Sequence, residues 1–347
     1  MRPTRSRSEG SDLSRRYGLR ASEWATTWYP RRDGPVTDCV TNSSPIAHRS
    51  DTHGRRAIAH PHPVEFAVIA HQRSETNLEL SARGWNGANS HHLFAPRDAL
   101  LNLGAGDVAL NRLDVSPELD GVEEGLWIVN QLEAQGVHVF NRPPGLLAAH
   151  DKLITARLLT AAGIPHPRTR RLHHATSLDG LSLPVVAKPR FGSWGRDVEL
   201  CGDRRALDDY IRRMQRRDWW RSGGVVQELV PPRSSDLRVI VAGGQVVGGA
   251  MRLAAPGEWR TNVALGGRPV AATPPPEACE LALAATRQIG IDFGGVDLLP
   301  EEDSWVVLEV NGAVDMRPSY SLGADVFSAA LASLELSARK PSLASQW

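Results

Sequence analysis

Lysine is scarce in this chain: only three of the 40 Lys and Arg residues are lysines. Because arginine supplies almost every other cation, a lysine inside ordered sequence is informative. Lys152 opens the apolar stretch KLITARLLTA, and Lys188 closes the run LPVVAKP just before a glycine-rich loop. A lysine ammonium is a compact point charge that suits phosphate groups. Chance placement is the alternative, but the residues that follow favour an anion-binding site.

Cysteine, net charge and long apolar runs are also in short supply. Cys39, Cys201 and Cys279 lie far apart, which argues against a disulfide framework or a zinc site and fits a reducing compartment. No apolar run approaches the roughly 18–20 residues that span a bilayer, and no apolar signal core follows the N-terminus. The net charge of +1 creates no field that attracts nucleic acid. We expect a cytoplasmic protein that binds neither membranes nor nucleic acid.

The first sixty residues carry eleven arginines and six acidic residues and lack sustained apolar periodicity. Such a segment cannot bury enough apolar surface to offset the entropy lost on ordering. We therefore expect residues 1–60 to form a disordered arm. His60 and His62 lie in an HPHP stretch, but no cysteine or carboxylate cluster accompanies them, so we expect no metal site there.

Strands and helices alternate from Val64 onward, which predicts an open α/β domain over residues 61–145. In this part we predict strands at 65–70, 107–114 and 137–141, a helix at 121–135, and irregular structure over 73–103.

The remaining chain predicts two α+β subdomains, over 146–230 and 231–335, followed by a tail at 336–347. We predict helices at 151–163, 204–220 and 277–288, strands at 183–188 and 225–230, a hairpin of 236–241 with 245–252, and strands around Asp297 and Glu309.

Two carboxylates follow apolar runs in the last predicted strands. Asp297 lies in FGGVDLL and Glu309 in WVVLEVN. Because side chains alternate along a strand, Asn311 points to the same side as Glu309. If the strands are adjacent, these oxygens meet at one edge of a sheet and form a site of the kind that Mg²⁺ prefers. Three unrelated polar residues at strand ends are the alternative.

Further polar groups lie between the lysines and these carboxylates. Arg238, Arg252 and Arg260 follow one another in order and could neutralise a triphosphate and a reacting acyl phosphate. The loop FGSWGRDV offers backbone amides to phosphates through Gly192, Ser193 and Gly195. The segment from Glu228 through Leu229 to Val230 could present its main chain to an adenine edge, with Asp236 on the ribose hydroxyls. Each of these signals is weak alone.

The order of these residues resembles the ATP-grasp superfamily, and more narrowly its RimK-like carboxylate–amine ligases, with the LysX-like ligases close by. The resemblance extends from about Val64 to Val326. The residues that match the family's motifs are Lys152, Lys188, Glu228, Asp236, Arg238, Arg252, Arg260, Asn262, Asp297, Glu309 and Asn311.

The resemblance implies an ATP-grasp fold, of the α/β (α+β) class, with an N-terminal pre-ATP-grasp domain and two subdomains that hold ATP. It implies that Lys152 and Lys188 bind the ATP phosphates and that residues 228–230 bind the adenine. It assigns Asp297, Glu309 and Asn311 to two Mg²⁺ ions, for which Mn²⁺ could substitute. We expect Arg260, Arg238 and Asn262 to act in catalysis, with Arg252 at the nucleotide.

The chain departs from the family in two places. Trp194 is bulky and Asp197 is acidic for a phosphate loop, and after Asn311 the chain reads GAVDMRPSY instead of Ser-Pro-Gly. We expect this last segment to select the substrate. Asp315 could receive an ammonium and Arg317 a carboxylate; a mutual surface ion pair is the alternative.

The expected reaction is ATP-dependent amide bond formation that adds glutamate or a similar amino acid to a small molecule, a peptide or a protein tail, in a homo-oligomer. A phosphotransferase on the same fold and a non-catalytic nucleotide-binding protein stay open as alternatives. The acid, the amine and the number of additions are not specified by the sequence.

Overall fold

The computed structural model describes residues 64–339, apart from 87, 89, 116–123, 174–177 and 179. The predicted arm at 1–60, with His60 and His62, lies outside the described residues, as do Cys39 and residues 340–347. None of the helices within the described ranges is long and apolar enough to cross a bilayer.

The N-terminal part forms a four-stranded parallel sheet in the order β2-β1-β3-β4. Its strands are β1 (Glu65–Ile69), β2 (Ser90–Phe94), β3 (Val108–Asn111) and β4 (His138–Phe140), and its helices are α1 (Glu75–Arg83), α2 (Pro96–Asn102) and α3 (Glu124–Ala134). This arrangement confirms the predicted open α/β domain.

The prediction of irregular structure over residues 73–103 is wrong, because this stretch contains α1, β2 and α2. Helix α1 begins after Ser74, whose side chain accepts a hydrogen bond from the Asn77 amide. Strand β2, with the sequence SHHLF, has no clear alternation of apolar and polar residues. Strand β2 is stabilised by its parallel pairing with β1, and the local sequence does not indicate that pairing.

A second sheet is antiparallel, in the order β5-β8-β6-β7. Its strands are β5 (Thr169–Leu172), β6 (Val185–Pro189), β7 (Glu199–Cys201) and β8 (Gly224–Glu228), and the helix against it is α6 (Arg204–Met214). Side chains of this sheet and of α6 form a core cluster of their own. Helix α6 ends at Met214, not at Trp220 as predicted; a 3-10 turn over Asp218–Ser222 follows it.

The third sheet is antiparallel, in the order β11-β10-β9-β12-β13. Its strands are β9 (Ser235–Ala242), β10 (Gln245–Leu253), β11 (Arg268–Ala271), β12 (Phe293–Glu301) and β13 (Ser304–Asn311). The predicted β9–β10 hairpin is confirmed, and both turn glycines, Gly243 and Gly244, have positive φ, as a tight hairpin turn requires.

Four helices complete the fold around the third sheet: α4 (Pro143–His150), α5 (Lys152–Ala161), α7 (Pro276–Ile289) and α8 (Val326–Ala338). Helices α7 and α8 pack on the sheet, and α5 packs on α7 and β13. The three sheets fall within the three predicted ranges, while the boundaries stay predictions; α8 runs three residues into the predicted tail.

Asn141 joins the parallel sheet to the third sheet. Its side chain is fully buried, donates to the carbonyls of Phe293 (2.7 Å) and Gly312 (3.1 Å), and accepts from the amides of Asp292 (3.0 Å) and Phe293 (2.9 Å). Its φ of 56° lies in the left-handed region that Asn tolerates better than most residues. Gly312 opens the segment that follows Asn311, so Asn141 also helps to place that segment.

We predict that Asn141→Ala lowers the free energy of unfolding by about 3 kcal/mol, because it leaves several buried backbone groups unpaired and puts alanine in a left-handed conformation that asparagine tolerates better. Urea denaturation measures the change. The control is Asn102→Ala, which removes an exposed side chain with one hydrogen bond to the Asp98 carbonyl. Equal stability of the two variants would contradict the joining role of Asn141.

Candidate functional site

A cleft between the two antiparallel sheets collects the residues predicted to hold a nucleotide. Its walls are formed by β6, the loop after it, the segment after β8, residues 259–262 and the end of β13. The predicted residues that line this cleft are Lys152, Lys188, Gly192, Ser193, Gly195, Glu228, Leu229, Val230, Asp236, Arg252, Arg260, Asn262 and Glu309. Residues up to 157 positions apart in the chain therefore share one cleft, as their order predicted.

The two lysines enter this cleft from different elements. Lys188 lies on β6, is 6% exposed, and donates to the Gln227 side-chain oxygen at 2.7 Å. Gln227 in turn donates to the Thr169 hydroxyl at 2.9 Å, so a chain of buried hydrogen bonds fixes the ammonium. Lys152 lies at the start of α5 and donates to the Gly192 carbonyl at 2.6 Å. One lysine is thus tied to the sheet and the other to the loop.

Burial lowers the pKa of Lys188 to about 8, with a further contribution from the charge of Lys152 and an opposing one from Glu309. Burial also lowers the pKa of Lys152, against the pull of Glu309 and Asp151. Desolvated ammonium groups of this kind gain most from a nearby anion. The electrostatics of the cleft therefore suit phosphate.

The loop over residues 191–198 has an unusual backbone that the surrounding residues hold in place. Trp194 (φ 63°) and Asp197 (φ 53°) are in the left-handed region. A β-carbon on Gly195 would come within 2.7 Å of the Asn262 side-chain oxygen, so only glycine fits there. Arg260 donates to the carbonyls of Gly195 (2.9 Å) and Val198 (3.2 Å). The loop is thus fastened across the cleft to residues 260–262.

Asp197, which is unexpected in a phosphate loop, faces away from the cleft. Its carboxylate accepts from the Trp219 indole at 2.8 Å and from Arg217 at 3.0 Å, and the Tyr210 hydroxyl donates to its carbonyl. The acidic residue therefore anchors the loop to α6 and the 3-10 turn and is not a lining residue of the cleft.

Four charged residues form a buried network on the third sheet. Arg238 donates to both oxygens of Asp297 (2.7 and 2.8 Å), and Arg252 donates to Asp297 at 2.8 Å and to Asp236 at 2.7 Å. The register explains the contacts, since Asp297 lies opposite Arg238 on β9 and Asp236 lies opposite Arg252 on β10. Two guanidiniums and two carboxylates neutralise each other, which offsets the desolvation cost of burying them.

Asp297 lies at the centre of this network and is fully buried. Burial raises its pKa, but Arg238 and Arg252 lower it more, so the net shift is downward. Sequence reasoning put Asp297 at a sheet edge; it lies instead in the middle of β12, directly opposite Glu309 on β13. The antiparallel register, not a shared strand end, brings the two carboxylates together.

Glu309 and Asn311 present the oxygens that a Mg²⁺ ion needs. The Asn311 side-chain nitrogen donates to Asp297 at 3.4 Å and to Glu309 at 3.5 Å, so the predicted trio is assembled. Glu309 has no ion pair with another described residue and lines the cleft. Hard carboxylate and amide oxygens fit Mg²⁺. Because both Asp297 oxygens already accept from arginines, Glu309 and Asn311 are the more available ligands.

Three predicted roles meet partners that the sequence did not reveal. The Asp236 carboxylate accepts from Arg252 and from the Thr261 hydroxyl (2.7 Å), so it belongs to the charge network; its ribose role stays a prediction. The Glu228 side chain pairs with Arg168 at 3.0 Å at the surface. Arg260 also pairs with Glu258 at 2.7 Å, so its catalytic role stays a prediction as well.

A second cavity, of about 470 Å³, lies beside the nucleotide cleft. It is large enough for an amino acid or a short peptide end. The predicted residues Arg238, Asn311, Asp315 and Arg317 line it, and the predicted residues Ser193, Arg252, Asn262 and Glu309 line both cavities. The proposed substrate residues and the proposed nucleotide residues are therefore contiguous.

Asp315 and Arg317 are both exposed and do not pair with each other; Asp315 lies 4.0 Å from Arg112 instead. The alternative of a mutual ion pair is thus not found. Arg112, on the end of the parallel sheet, is a cavity residue that sequence reasoning missed. The sequence feature that could have indicated Arg112 is its position as a cation directly after the buried strand sequence VALN.

Comparisons with known proteins agree with this geometry. A family model described as the RimK-like ATP-grasp domain matches residues 149–334. A probable alpha-L-glutamate ligase of Parasynechococcus marenigrum (strain WH8102) is 33% identical over 54% of this chain and 41% of that protein. A probable alpha-L-glutamate ligase of Thioalkalivibrio sulfidiphilus (strain HL-EbGR7) is 33% identical over 62% of this chain and 73% of that protein. The match thus spans less than half of the first relative.

Solved structures show the same fold. A RimK domain ATP-grasp protein from Sphaerobacter thermophilus DSM 20745 superposes with a TM-score of 0.55 at 23% identity, over 78% of this chain and 99% of that one. The ATP-grasp ligase PsnB, complexed with a variant of its minimal precursor, Mg and ADP, gives a TM-score of 0.55 at 17% identity, over 80% and 99%. The predicted ATP-grasp fold is therefore confirmed.

We predict that Glu309→Gln lowers Mg²⁺-dependent ADP formation at least about 100-fold, because it removes the charge of a carboxylate proposed to bind the Mg²⁺ that stabilises phosphate charge. Its thermal midpoint should not change. Glu301→Gln, an exposed change on the neighbouring strand β12, is the matched control and should be active. Normal activity of Glu309→Gln would remove Glu309 from the site.

Asp297→Asn should behave differently, because it leaves two buried guanidiniums without a full counter-charge. We expect the free energy of unfolding to fall by about 3–5 kcal/mol. Loss of activity in Asp297→Asn therefore cannot separate a metal-binding role from a structural one. Glu309→Gln tests the metal-binding role more directly.

ATP affinity should depend on pH through Lys188. The Lys188 pKa of about 8 means that the ammonium is charged below pH 8 and loses its proton above it. We predict a constant Kd for Mg·ATP up to about pH 8, then weakening by at most about tenfold per pH unit. Lys188→Arg should bind more weakly but lose this dependence, since arginine stays charged. Calorimetric titrations from pH 7 to 9.5 measure both; identical pH profiles would exclude Lys188.

Proposed function

The chain belongs to the RimK-like ATP-grasp family, and on that premise we propose that it is an ATP-dependent carboxylate–amine ligase. One observation carries the proposal: the nucleotide cleft and the second cavity share five lining residues, Ser193, Trp194, Arg252, Asn262 and Glu309. A γ-phosphate in the first and a carboxylate in the second would therefore meet at these shared residues.

In the proposed reaction, a substrate carboxylate oxygen attacks the γ-phosphorus, the bond to the bridging oxygen breaks, and ADP leaves with that electron pair. The substrate amine then attacks the carbonyl carbon of the acyl phosphate. Its carbon–oxygen bond to phosphate breaks, inorganic phosphate leaves, and the nitrogen loses a proton. The products are an amide, ADP and phosphate.

The main electrostatic difficulty is the repulsion between a carboxylate and a triphosphate. Lys152 and Lys188 place two desolvated ammonium groups in the nucleotide cleft. Arg252 lines both cavities and Arg238 lines the second, and their positions are fixed by Asp297 and Asp236 before any ligand arrives. Such prearranged cations lower the cost of bringing anions together.

Glu309, Asn311 and Asp297 would hold Mg²⁺, which supplies positive charge that screens the phosphate oxygens. The use of two ions, and of Mn²⁺ in their place, are predictions. The loop over residues 191–198, held by Lys152 and Arg260, covers the side of the cleft where water must be excluded from an acyl phosphate.

Glutamate or a similar amino acid is the proposed substrate class. The two relatives reported above are named probable alpha-L-glutamate ligases. The cavity beside the cleft carries both signs of charge, with arginines and Asp315, as an amino acid requires. A small molecule, a peptide or a protein tail could provide the other group. A homo-oligomer and a cytoplasmic location stay predictions.

The experiment that tests the proposal is an ADP-release assay with amino acids, alone and in pairs with carboxylate acceptors, followed by mass spectrometry of the products. A ligase turns over ATP repeatedly only when acid and amine are both present, and its product has the summed mass less one water. A stable phosphorylated product without an amine would indicate the phosphotransferase instead. ATP binding with no product from any pair would favour a non-catalytic nucleotide-binding protein.

A further inference from the structure

Arg112 is the one buried arginine of the described site whose charge lacks a close counter-ion. Its side chain is 1% exposed, yet the single ion-pair partner within the described residues is Asp315, at 4.0 Å and largely solvated. Arg238 and Arg252, in contrast, each pair with a carboxylate at 2.8 Å or less. A buried cation without a close anion is costly.

The hydrogen bonds of Arg112 leave one end of its guanidinium unused. Nε donates to the Asn77 side-chain oxygen at 2.5 Å, and Nη2 donates to the Val314 carbonyl at 2.7 Å. Nη1 has no hydrogen-bond partner. Among the buried side-chain nitrogen and oxygen atoms of the described residues, it is the only one that lacks a partner. The residue lines the second cavity. Nη1 together with the second hydrogen of Nη2 would form a fork for a carboxylate.

Arg112 lies on a different element from the residues proposed to hold the reacting groups. It follows β3 of the parallel sheet, while the proposed metal ligands lie on β12 and β13 of the third sheet. Arg252, which lines both cavities, already lies where a γ-phosphate and an activated carboxylate would meet. An anion at Arg112 is therefore a different group from the one that is phosphorylated.

We propose that Arg112 binds a spectator carboxylate of the amino-acid substrate, one that takes no part in amide bond formation, and so makes the enzyme select amino acids that carry this carboxylate. The inference rests on the proposed ligase function and adds a specificity residue to it. Glutamate meets the requirement, because either of its carboxylates can be the spectator.

Arg112 also has a structural contact, and the test must separate the two roles. Its bond to the Val314 carbonyl, like the paired bonds between Thr76 and the backbone of Met316 (3.1 and 3.0 Å), holds the 314–316 segment against the parallel sheet. Loss of this contact would weaken every ligand alike. Loss of a carboxylate partner would weaken only ligands that carry that carboxylate.

The probes are L-glutamate, L-glutamine and L-isoglutamine. Glutamate has both carboxylates, glutamine has an amide in place of the side-chain carboxylate, and isoglutamine has an amide in place of the α-carboxylate. Each is titrated calorimetrically into the full chain loaded with Mg²⁺ and a non-hydrolysable ATP analogue. Wild type should bind one of the amides roughly 10- to 100-fold more weakly than glutamate, as expected for a charge-assisted hydrogen bond. Arg112→Met should bind glutamate and that amide within about twofold of each other.

Arg112→Lys keeps the charge but not the fork, so it should retain part of the preference. If Arg112→Met fails to fold, the same comparison of glutamate with its amides in Arg112→Lys tests the proposal. The matched control is Arg83→Met: Arg83 lies on α1, pairs with Asp325 of the α8 cap at 3.3 Å and lies over the Phe327 ring, but does not line the cavity. Its preference should equal that of wild type.

Three results would overturn the inference: unchanged selectivity in a folded Arg112 variant, wild-type binding that ignores both amide replacements, or no glutamate binding by wild type. The ADP-release assay on the same preparation separates this outcome from failure of the ligase proposal. Amine-dependent ADP formation with unchanged selectivity in the variants rejects only the role of Arg112. Absence of amine-dependent ADP formation rejects the ligase, whatever the variants bind.

Discussion

The buried alternation of Arg238, Asp297, Arg252 and Asp236 is the constraint on which the site depends. Each charge has a partner of opposite sign on the neighbouring strand, so the register of β9, β10 and β12 and the pairing of charges support each other. A slip by one residue would turn the side chains to the other face and leave charges buried alone. The network therefore fixes the sheet and, through Asp297, the position of Glu309 opposite it.

On the other side of the cleft, two cations also have a structural role. Lys152 and Arg260, both assigned to phosphate or catalysis, donate to backbone carbonyls of the loop over residues 191–198. Loop position and cleft charge are consequently linked, because the groups that would meet phosphate are also those that hold the loop. Lys188 is independent of the loop, since Gln227 on the adjacent strand β8 holds it.

Sequence order pointed to the residues that the structure collects in one cleft because many of them lie in short, strongly patterned strands. Lys188, Asp297 and Glu309 each interrupt runs of Val and Leu, and such interruptions are visible without a structure. The partners of these residues were not visible. The bonds of Asp236 to Arg252 and Thr261, and of Asp197 to Trp219, depend on register and on turns that local sequence does not specify. Strand β2 was missed for the same reason, since its partner β1 lies 21 residues or more away.

Arg112 shows most clearly where sequence reasoning ends. Its bond to Val314 crosses 202 positions in the chain, and its significance lies in a hydrogen-bond partner that it lacks. The family match begins at residue 149 and so excludes the whole parallel sheet, with Arg112, Thr76 and Asn77. Likeness to the family therefore speaks for the half of the site that holds the nucleotide. The second cavity is walled partly by residues outside that match, and a shared ATP chemistry can be combined with different substrates by changing them. Substrate choice must accordingly be sought in both walls of the second cavity, in the parallel sheet as well as in the segment after Asn311.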